Sequence, residues 1–308
     1  MRFQKPMVVV NPNSAGGATG RAWRSLRRLF ETHLPGHEAR MTAAPGDATK
    51  ITRDALRAGC DLIVSVGGDG TNNEIVNGFF DGGAAINAEA VFASIPCGTG
   101  GDLRKTLGLP KTPEAAIASL PDREIRAVDI GHLRFLRRDG RDDERFFLNI
   151  AGFGVSGVVD EHINRATKLL PGKLSYAWSS LVAILGYQNR NVRLTIDGRD
   201  IGSRRVFTVA VANGRFFGGG MMIAPDAVMD DGLFDIVIMG DMSIATVIRK
   251  MSAIYKGTHV RHPEVESFRG REIRADADED VFLDVDGEAP GKLPATFTIR
   301  PGALRMLR

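Results

Sequence analysis

The segment at residues 61–78, DLIVSVGGDGTNNEIVNG, is the feature that most constrains the fold. An apolar run, LIVSV, stops at two glycines, an aspartate, a third glycine and a threonine. A strand that passes through glycines into a helix presents unpaired N–H groups at the positive end of the helix dipole. Glycine lets an anion come close to the backbone, because no Cβ stands in the way. The segment therefore predicts a phosphate-binding loop in an α/β fold.

Strand-like and helix-like segments alternate through the first third of the chain. Strands are predicted at 7–11, 37–42, 61–66 and 91–96, and helices at about 20–34, 46–59, from 71 and from 112. Such alternation indicates a parallel sheet covered by helices. Ligands bind beyond the carboxyl ends of the strands in these sheets. Those ends are rich in glycine or hydroxyl side chains, at 11–17, 42, 67–71 and 97–102.

The pattern changes near residue 125. Turn-linked strands are predicted at 124–136, 145–154, 191–197, 204–214, 233–240 and 281–287, with helices at about 156–167, 172–188 and 243–256. We therefore expect an α/β protein with two domains. A parallel-sheet nucleotide-binding domain spans 1–126, and a second, mainly antiparallel β domain with inserted helices spans 127–295. Residues 296–308 could complete either domain.

Composition excludes several classes of function. The chain has a net charge of +3 and only two cysteines, so neither a nucleic-acid partner nor a disulfide framework is expected. The longest apolar stretch, at 174–187, is shorter than the roughly 20 residues that span a bilayer. We expect a cytoplasmic protein that can still touch a membrane surface.

Asp69 is the unusual residue of the glycine loop, because a carboxylate repels a bare phosphate. A divalent cation that accompanies the phosphate, as in Mg²⁺–ATP, removes the conflict. Thr71 with Glu74, and Thr99 with Asp102, have the spacing of helix capping boxes. The alternative is that GGDGT is only a tight turn.

Other nucleotide-binding and catalytic signatures are weak or missing. Gly152, Gly154 and Gly157 fit the spacing G-x-G-x-x-G, but they lie where the strands are predicted to be antiparallel. The sequence contains no Walker A segment, no HRD and DFG pair and no G-x-S-x-G.

Five segments occur in the order and spacing of one family: VVVNPNSAGG, VGGDGTNNEIVNGF, IPCGTGGDLRKTLGLP, ANGRFFGGGMMIAPDAVMDDGLFDIVI and VDGE. They are distributed from residue 8 to residue 288 and resemble the diacylglycerol kinase catalytic-domain family, which includes bacterial lipid kinases and the sphingosine and ceramide kinases. One departure is Gly101, where the family usually has asparagine. Nucleotide preference therefore stays open.

The resemblance implies ATP and Mg²⁺ as cofactors and assigns roles to particular residues. A structural Mg²⁺ would be held by the Asp231 carboxylate and the carbonyls of Val228 and Leu233, although Asp230-Asp231-Gly232 alone reads as a simple loop. Glu288 would be the catalytic base, with Asp286 as the alternative, and Asp69 would also act in catalysis. From sequence alone, Asp286-Gly287 is a hairpin turn. The implied ATP-binding residues are Asn11, Pro12, Asn13, Ser14, Ala15, Thr42, Gly67, Gly68, Asp69, Gly70, Thr71, Asn72, Asn73 and Thr99.

Two segments favour contact with a lipid, although both could equally pack inside the protein. Residues 21–30, RAWRSLRRLF, form a basic amphipathic helix, and 174–187 is apolar. The expected function is an ATP-dependent kinase of diacylglycerol or a related lipid, with peripheral membrane contact and a homodimer left open. The alternatives are an NAD kinase-like phosphotransferase, whose TPTGSTAY-like segment is missing here, and a non-catalytic nucleotide-binding regulator.

Overall fold

The computed structural model describes residues 3–98, 100–158 and 186–308. The chain divides into two compact units. Unit 1 comprises Met1–Ile130 and Pro301–Arg308, and unit 2 comprises Gly131–Arg300.

Unit 1 is built around a parallel sheet. Its elements are β1 (Pro6–Val10), α1 (Ala18–His33), β2 (Glu38–Met41), α2 (Asp47–Arg57), β3 (Leu62–Gly67), α3 (Asp69–Gly78), β4 (Phe80–Asp81), β5 (Ala84–Ala85), β6 (Val91–Pro96), α4 (Asp102–Leu107), α5 (Pro113–Ala118) and the start of β7 (Ile125–Leu136). The main strands are ordered β2-β1-β3-β6, and each neighbouring pair is parallel. The carboxyl ends of these strands therefore lie at one edge.

Helices α1 and α5 share an apolar core with this sheet. Trp23, Leu26 and Phe30 of α1 are buried among the side chains of β1, β3 and β6. Helices α2 and α3 pack against each other and against β1 and β3. Thr112 caps α5, as the sequence predicts, because its side chain accepts a hydrogen bond from the N–H of Ala115.

Unit 2 is mainly antiparallel. Its elements after β7 are β8 (Asp142–Phe147), β9 (Ile150–Gly154), β10 (Arg190–Ile196), β11 (Arg199–Val206), β12 (Thr208–Ala212), β13 (Phe234–Met239), α6 (Ile244–Tyr255), β14 (Val265–Gly270), β15 (Glu272–Asp276), β16 (Leu283–Val285) and most of β17 (Lys292–Leu307). One sheet has the order β14-β13-β12-β9-β16, and a second set has the order β11-β10-β15-β17. Both contribute side chains to one core, which includes Phe153 and Phe297.

The predicted fold class, a parallel α/β region with a separate antiparallel β region, is confirmed. Strand β17 contributes to both units: residues 295–298 pair antiparallel with β15, and Arg305 and Met306 pair parallel with β6. The strands predicted at 145–154 and 204–214 are each broken in two, at 148–149 and at Phe207. At the second break the N–H of Phe207 donates to the carbonyls of Met239 and Gly240.

Two expectations fall largely outside the described residues. The apolar stretch at 174–187 lies there except for its last two residues, as does most of the helical region predicted at 156–188. The helix predicted at 243–256 is present as α6. Within the described parts of the chain, no helix is long and apolar enough to cross a membrane.

Candidate active site

The loop after β1 is tied to the loop after β3 by side-chain hydrogen bonds. Asn11 Nδ2 donates to Thr71 Oγ1 at 3.0 Å, and Asn11 Oδ1 accepts from the N–H of Asn13 at 3.0 Å. Ser14 Oγ lies 2.6 Å from Thr19 Oγ1, which donates to the carbonyl of Cys97 at 3.2 Å. The loops that follow β1, β3 and β6 are therefore held together at the carboxyl edge of the sheet.

Two of the glycines in these loops are required by close packing. A Cβ on Gly67 would lie 2.5 Å from Thr71 Oγ1, and a Cβ on Gly98 would lie 2.7 Å from the Cα of Gly68. Real Cβ atoms do not approach heavy atoms so closely. Gly67 therefore makes room for the Thr71 side chain, and Gly98 lets the loop after β6 touch the backbone of the loop after β3. Packing explains part of the glycine content that the sequence attributes to phosphate binding.

Helix α3 begins at Asp69, with Gly68 as its N-cap, and the predicted capping box is wrong. The earlier start moves Thr71 into the first turn, where its hydroxyl accepts a hydrogen bond from Asn11. Glu74 instead reaches the start of α2, where its carboxylate accepts hydrogen bonds from the N–H groups of Gly46 and Ala48 at 2.9 and 3.1 Å. Because glycine has no side chain, no cap covers the start of α3 from that position.

A pair of carboxylates surrounds Gly100. Asp69 Oδ2 accepts a hydrogen bond from the N–H of Asp102 at 3.2 Å. A Cβ on Gly100 would lie 3.2 Å from Asp69 Oδ2 and 3.8 Å from Asp102 Oδ2, so both carboxylates approach the same point of the chain. Lys105 Nζ pairs with Asp102 Oδ1 at 3.0 Å. Two hard oxygen donors fit a Mg²⁺ ion that arrives with a polyphosphate.

The unusual Gly101 has a backbone explanation. It is the N-cap of α4 and has φ +63°, in the left-handed region. Glycine and asparagine are the residues that adopt this region most readily, so either fits the turn. Because α4 begins only at Asp102, this aspartate is not the third residue of a capping box. Thr99, the other member of that predicted box, lies outside the described residues.

The predicted ATP-binding residues divide into two groups. Asn72 and Asn73 are buried inside unit 1, where Asn72 Oδ1 accepts from Ser94 Oγ at 3.1 Å and Asn73 Oδ1 accepts from Asn77 Nδ2 at 3.2 Å. Thr42 and Thr71 are also buried. Gly67 is buried as well, and those that are partly or fully exposed are Asn11, Pro12, Asn13, Ser14, Ala15, Gly68, Asp69 and Gly70.

In unit 2, Asp286 and Gly287 form the predicted hairpin turn. Both have positive φ, 50° and 88°, and Val285 and Glu288 exchange backbone hydrogen bonds across them. This combination is typical of a type I′ turn. Asp286 therefore lies beyond the end of β16, whereas Asp284 is a buried strand residue whose Oδ1 accepts from the N–H of Gly287. The two aspartates therefore do not share a strand face.

The Asp286 carboxylate is occupied by backbone donors. It accepts hydrogen bonds from the N–H groups of Leu148, Asn149 and Ile150 at 3.1, 3.1 and 2.9 Å. These bonds use the donors that would otherwise continue the strand, which explains the break between β8 and β9. Glu288, two residues later, is 41% exposed and pairs with Arg145 at 2.9 Å.

Sequence reasoning missed the segment that supports this turn. Arg145 contacts Glu288, and Asn149 Nδ2 donates to the carbonyl of Phe216 at 2.7 Å. The Asn149 carbonyl accepts from the N–H groups of Asn213 and Gly214. The segment thus connects VDGE to the start of the glycine-rich segment at 213–220. The one sequence feature that could have indicated this segment is Asn149, a polar residue inside the apolar run RFFLNIA.

The predicted metal site at Asp231 has a different partner. Asp231 Oδ2 accepts from Arg269, and Oδ1 accepts from the N–H of Leu233 at 3.1 Å. The Arg269 guanidinium therefore occupies one carboxylate oxygen and the N–H of Leu233 the other, so an ion would have to displace a partner of Asp231. Burial raises the pKa of nearby Asp235, and Arg269 opposes that rise. Across the described ranges, no group of three His, Cys, Asp or Glu side chains could hold a metal. The site stays a prediction, and Val228 is exposed beside it.

The second glycine pattern, at Gly152, Gly154 and Gly157, has a packing explanation. Cβ atoms there would lie 2.5, 2.7 and 2.2 Å from the carbonyl oxygens of Val209, Phe207 and Phe282. Strand β9, which carries the first two, lies between antiparallel neighbours. These glycines allow close strand packing, and the pattern is not a dinucleotide loop.

Two family models match this chain. The diacylglycerol kinase catalytic domain matches residues 5–133, and the YegS C-terminal NAD kinase beta sandwich-like domain matches residues 149–308. The diacylglycerol kinase of Bacillus subtilis (strain 168) is 27% identical over 96% of this chain and 93% of its own length. That of Staphylococcus carnosus (strain TM300) is 29% identical over 96% and 92%.

Solved structures show the same fold. A Bacillus anthracis protein, described as a candidate diacylglycerol kinase, has a TM-score of 0.80 at 25% identity, over 100% of this chain and 96% of its own. Yeast NADH kinase, solved with NADH, has a TM-score of 0.53 at 14% identity, over 99% and 82%. The second likeness concerns the fold alone.

Proposed function

Because the chain belongs to the diacylglycerol kinase catalytic-domain family, we propose that it is an ATP-dependent lipid kinase. It transfers the γ-phosphate of ATP to a hydroxyl of diacylglycerol or a related lipid. The observation that carries the proposal is the VDGE turn: internal hydrogen bonds hold Asp286, and the next acid, Glu288, projects from a fixed turn with 41% of its side chain exposed. Unit 1 is the proposed nucleotide-binding domain, and unit 2 is the proposed lipid-substrate domain. Of the predicted C-terminal segment 296–308, residues 301–308 belong to unit 1 and 296–300 to unit 2.

ATP binds at the carboxyl edge of the parallel sheet, as the topological rule for such sheets requires. Direct contact comes from the partly exposed residues of the loops at 11–15 and 68–70, where glycine admits the phosphates close to the backbone. Thr42, Thr71, Asn72 and Asn73 are buried, so we assign them to holding those loops in place. Thr99 remains a predicted contact.

Asp69 and Asp102 are the residues that would hold the Mg²⁺ of Mg²⁺–ATP. The ion supplies charge neutralisation between the β- and γ-phosphates when it is bound. Asp69 aims one oxygen at the start of α4, and Lys105 balances part of the charge of Asp102. We derive no step from an ion at Asp231, because Arg269 already neutralises that carboxylate.

Glu288 accepts the proton of the lipid hydroxyl. Its exposure lets an acceptor reach it, and a base within hydrogen-bond distance of the attacking oxygen accelerates transfer about 10²–10⁴-fold. Asp286 is the weaker candidate for this role, since three N–H donors occupy its carboxylate. We therefore assign Asp286 to positioning the turn, and Arg145 to orienting Glu288.

The test supplies purified protein with Mg²⁺, γ-labelled ATP and mixed micelles that contain bacterial lipid extract and added diacylglycerol. Labelled phospholipid is the expected product, and its chromatographic position identifies the acceptor. A parallel reaction offers NAD instead of lipid. Labelled NADP without labelled lipid would favour the NAD kinase-like alternative. ATP binding without transfer to any acceptor would favour a regulator.

A further inference from the structure

Helix α6 has an exposed apolar ridge. Among the described residues, the large apolar side chains that are exposed are Met41, Val228, Ile248 and Tyr255, and the last two lie on this helix. Ile248 and Tyr255 are seven positions apart, so they share one helix face, whereas Met251 between them is partly buried and packs against the core of unit 2. Ile248 is 48% exposed and Tyr255 is 49% exposed.

The ridge is not the face that anchors the helix. Val247 and Ile254 are buried in the core of unit 2, together with Ala224 and Met239. A helix anchored in this way normally turns a polar face to the solvent. Helix α6 instead has a second apolar strip outside its buried one, and such strips mark surfaces that meet a partner.

The helix and the segment that follows it carry only basic charged side chains. The 22 residues from Met242 to Pro263 contain no aspartate or glutamate, and they include Arg249, Lys250, Lys256 and Arg261. None of these four cations makes an ion pair with a carboxylate in the part of the chain that the structure describes. Arg249 and Lys256 each follow directly after one of the exposed ridge residues.

Basic side chains elsewhere in unit 2 are mostly neutralised by local acids. The pairs are Arg190–Glu279, Arg193–Asp276, Arg204–Glu266, Arg205–Asp241, Arg269–Asp231, Arg274–Glu272 and Lys292–Asp280. A mixed-charge surface of that kind is what solubility alone requires. Helix α6 departs from it in both charge and apolar exposure.

We propose that helix α6 is the surface through which this protein binds an anionic lipid bilayer. Ile248 and Tyr255 enter the headgroup region, where an aliphatic chain and an amphipathic ring both fit, and the neighbouring cations meet the lipid phosphates. A second copy of the chain fits less well, because a two-fold interface would oppose like charges. The proposal rests on the proposed function in one respect: a lipid kinase must reach a substrate that lies in a bilayer.

Helix α1 is basic like α6 but has no exposed apolar ridge. It carries Arg24, Arg27 and Arg28, but its apolar residues Trp23 and Phe30 are buried against the sheet. Its exposed face offers charge without an apolar ridge, and Arg27 is paired with Glu31. Charge alone attracts a protein weakly to a bilayer, so α1 serves as the matched control.

The experiment is sedimentation of the full chain, without ATP, on sucrose-loaded vesicles of phosphatidylglycerol with phosphatidylcholine, and on pure phosphatidylcholine. We expect binding to the anionic vesicles that weakens with added salt. Each cation near such a surface strengthens partitioning about fivefold, so the Arg249→Gln/Lys250→Gln/Lys256→Gln protein should bind about 100-fold more weakly. Ile248→Ser/Tyr255→Ser should lose at least about tenfold.

The control protein is Arg24→Gln/Arg27→Gln/Arg28→Gln, which removes the same charge from α1. We expect it to lose less than about threefold, and thermal unfolding should show that all variants fold. Equal losses in the α1 and α6 charge variants would overturn the proposal, as would undiminished binding by either α6 variant. If the wild type phosphorylates micellar lipid but binds no vesicle, this inference fails while the proposed function stands. If the wild type binds anionic vesicles but phosphorylates no lipid, this inference stands while the proposed function fails.

Discussion

Two Asp-Gly pairs, one in each unit, look alike in sequence and differ in what holds their carboxylates. Asp69 lies between glycines at the start of α3, and its Oδ2 accepts a hydrogen bond from the N–H of Asp102 at 3.2 Å. Asp286 lies in a type I′ turn, where its carboxylate accepts three backbone hydrogen bonds. An Asp-Gly pair therefore marks the end of a strand in both units, but it does not predict the role of its carboxylate. The donors around the carboxylate decide between stability and chemistry.

Among substitutions at the two Asp-Gly pairs, the largest loss of activity is expected for Asp69→Asn. Asparagine keeps an oxygen for the N–H of Asp102 but removes the charge that draws Mg²⁺ to the phosphates, so kcat/KM should fall about 10²–10³-fold. The free energy of unfolding should change by less than about 0.5 kcal/mol. Urea denaturation beside a steady-state assay tests both. A loss of stability as large as the loss of activity would remove the distinction between the two Asp-Gly pairs.

Asp286→Ala should lower the stability of the protein, whereas Asp69→Asn should lower its activity. The alanine substitution leaves the N–H groups of Leu148, Asn149 and Ile150 without their acceptor, which costs about 1–3 kcal/mol for each buried donor. We expect unit 2 to lose about 3 kcal/mol or more of stability, seen as a lower urea midpoint. Asp286→Asn is the milder companion, because asparagine tolerates the positive φ. Unchanged stability in both variants would make Asp286 available for catalysis after all.

Gly98→Ala tests the backbone contact between the two glycine loops. The new Cβ would lie 2.7 Å from the Cα of Gly68, and such overpacking costs about 1–3 kcal/mol. Gly68→Ala is the matched control in the same contact, since its Cβ would lie 3.4 Å from Gly98. Thermal unfolding should rank Gly98→Ala well below Gly68→Ala. Equal melting temperatures would mean that the contact is not tight.

The smallest expected effect is that of Glu74→Gln. It weakens the carboxylate cap on α2, where Glu74 accepts from Gly46 and Ala48, and should cost about 1 kcal/mol. Activity should be unchanged at temperatures where the protein is folded. A drop in kcat would instead connect this residue to the nucleotide loop that begins α3.

The sequence predicts the fold well because hydrophobic periodicity and glycine position determine it directly. The parallel strands of unit 1 and the cap at Thr112 follow from local chemistry. Contacts between distant segments are harder to predict. Glu74 has the spacing of a capping box, yet it caps a helix that begins 27 residues earlier in the chain. Nothing in its own neighbourhood indicates that partner.

In the candidate site, too, local features can be predicted from the sequence and contacts between distant segments cannot. The turn at Asp286-Gly287 is predicted by its two residue types, because both adopt positive φ. The three donors at Leu148 to Ile150 lie 136–138 positions away, and Arg145 lies 143 positions from Glu288. Such pairs depend on how β9 and β16 align, which one sequence does not contain. The arginine at Asp231 was missed for the same reason.

The most direct test of the account compares wild type with Glu288→Gln in two measurements. Calorimetry gives the Kd for Mg²⁺–ATP, and rapid-quench mixing with diacylglycerol micelles gives the rate of phosphoryl transfer. If unit 2 supplies the base, the Kd should stay within about twofold while the transfer rate falls about 10²–10⁴-fold. Transfer at the wild-type rate by Glu288→Gln would contradict the assignment and move the base to another residue.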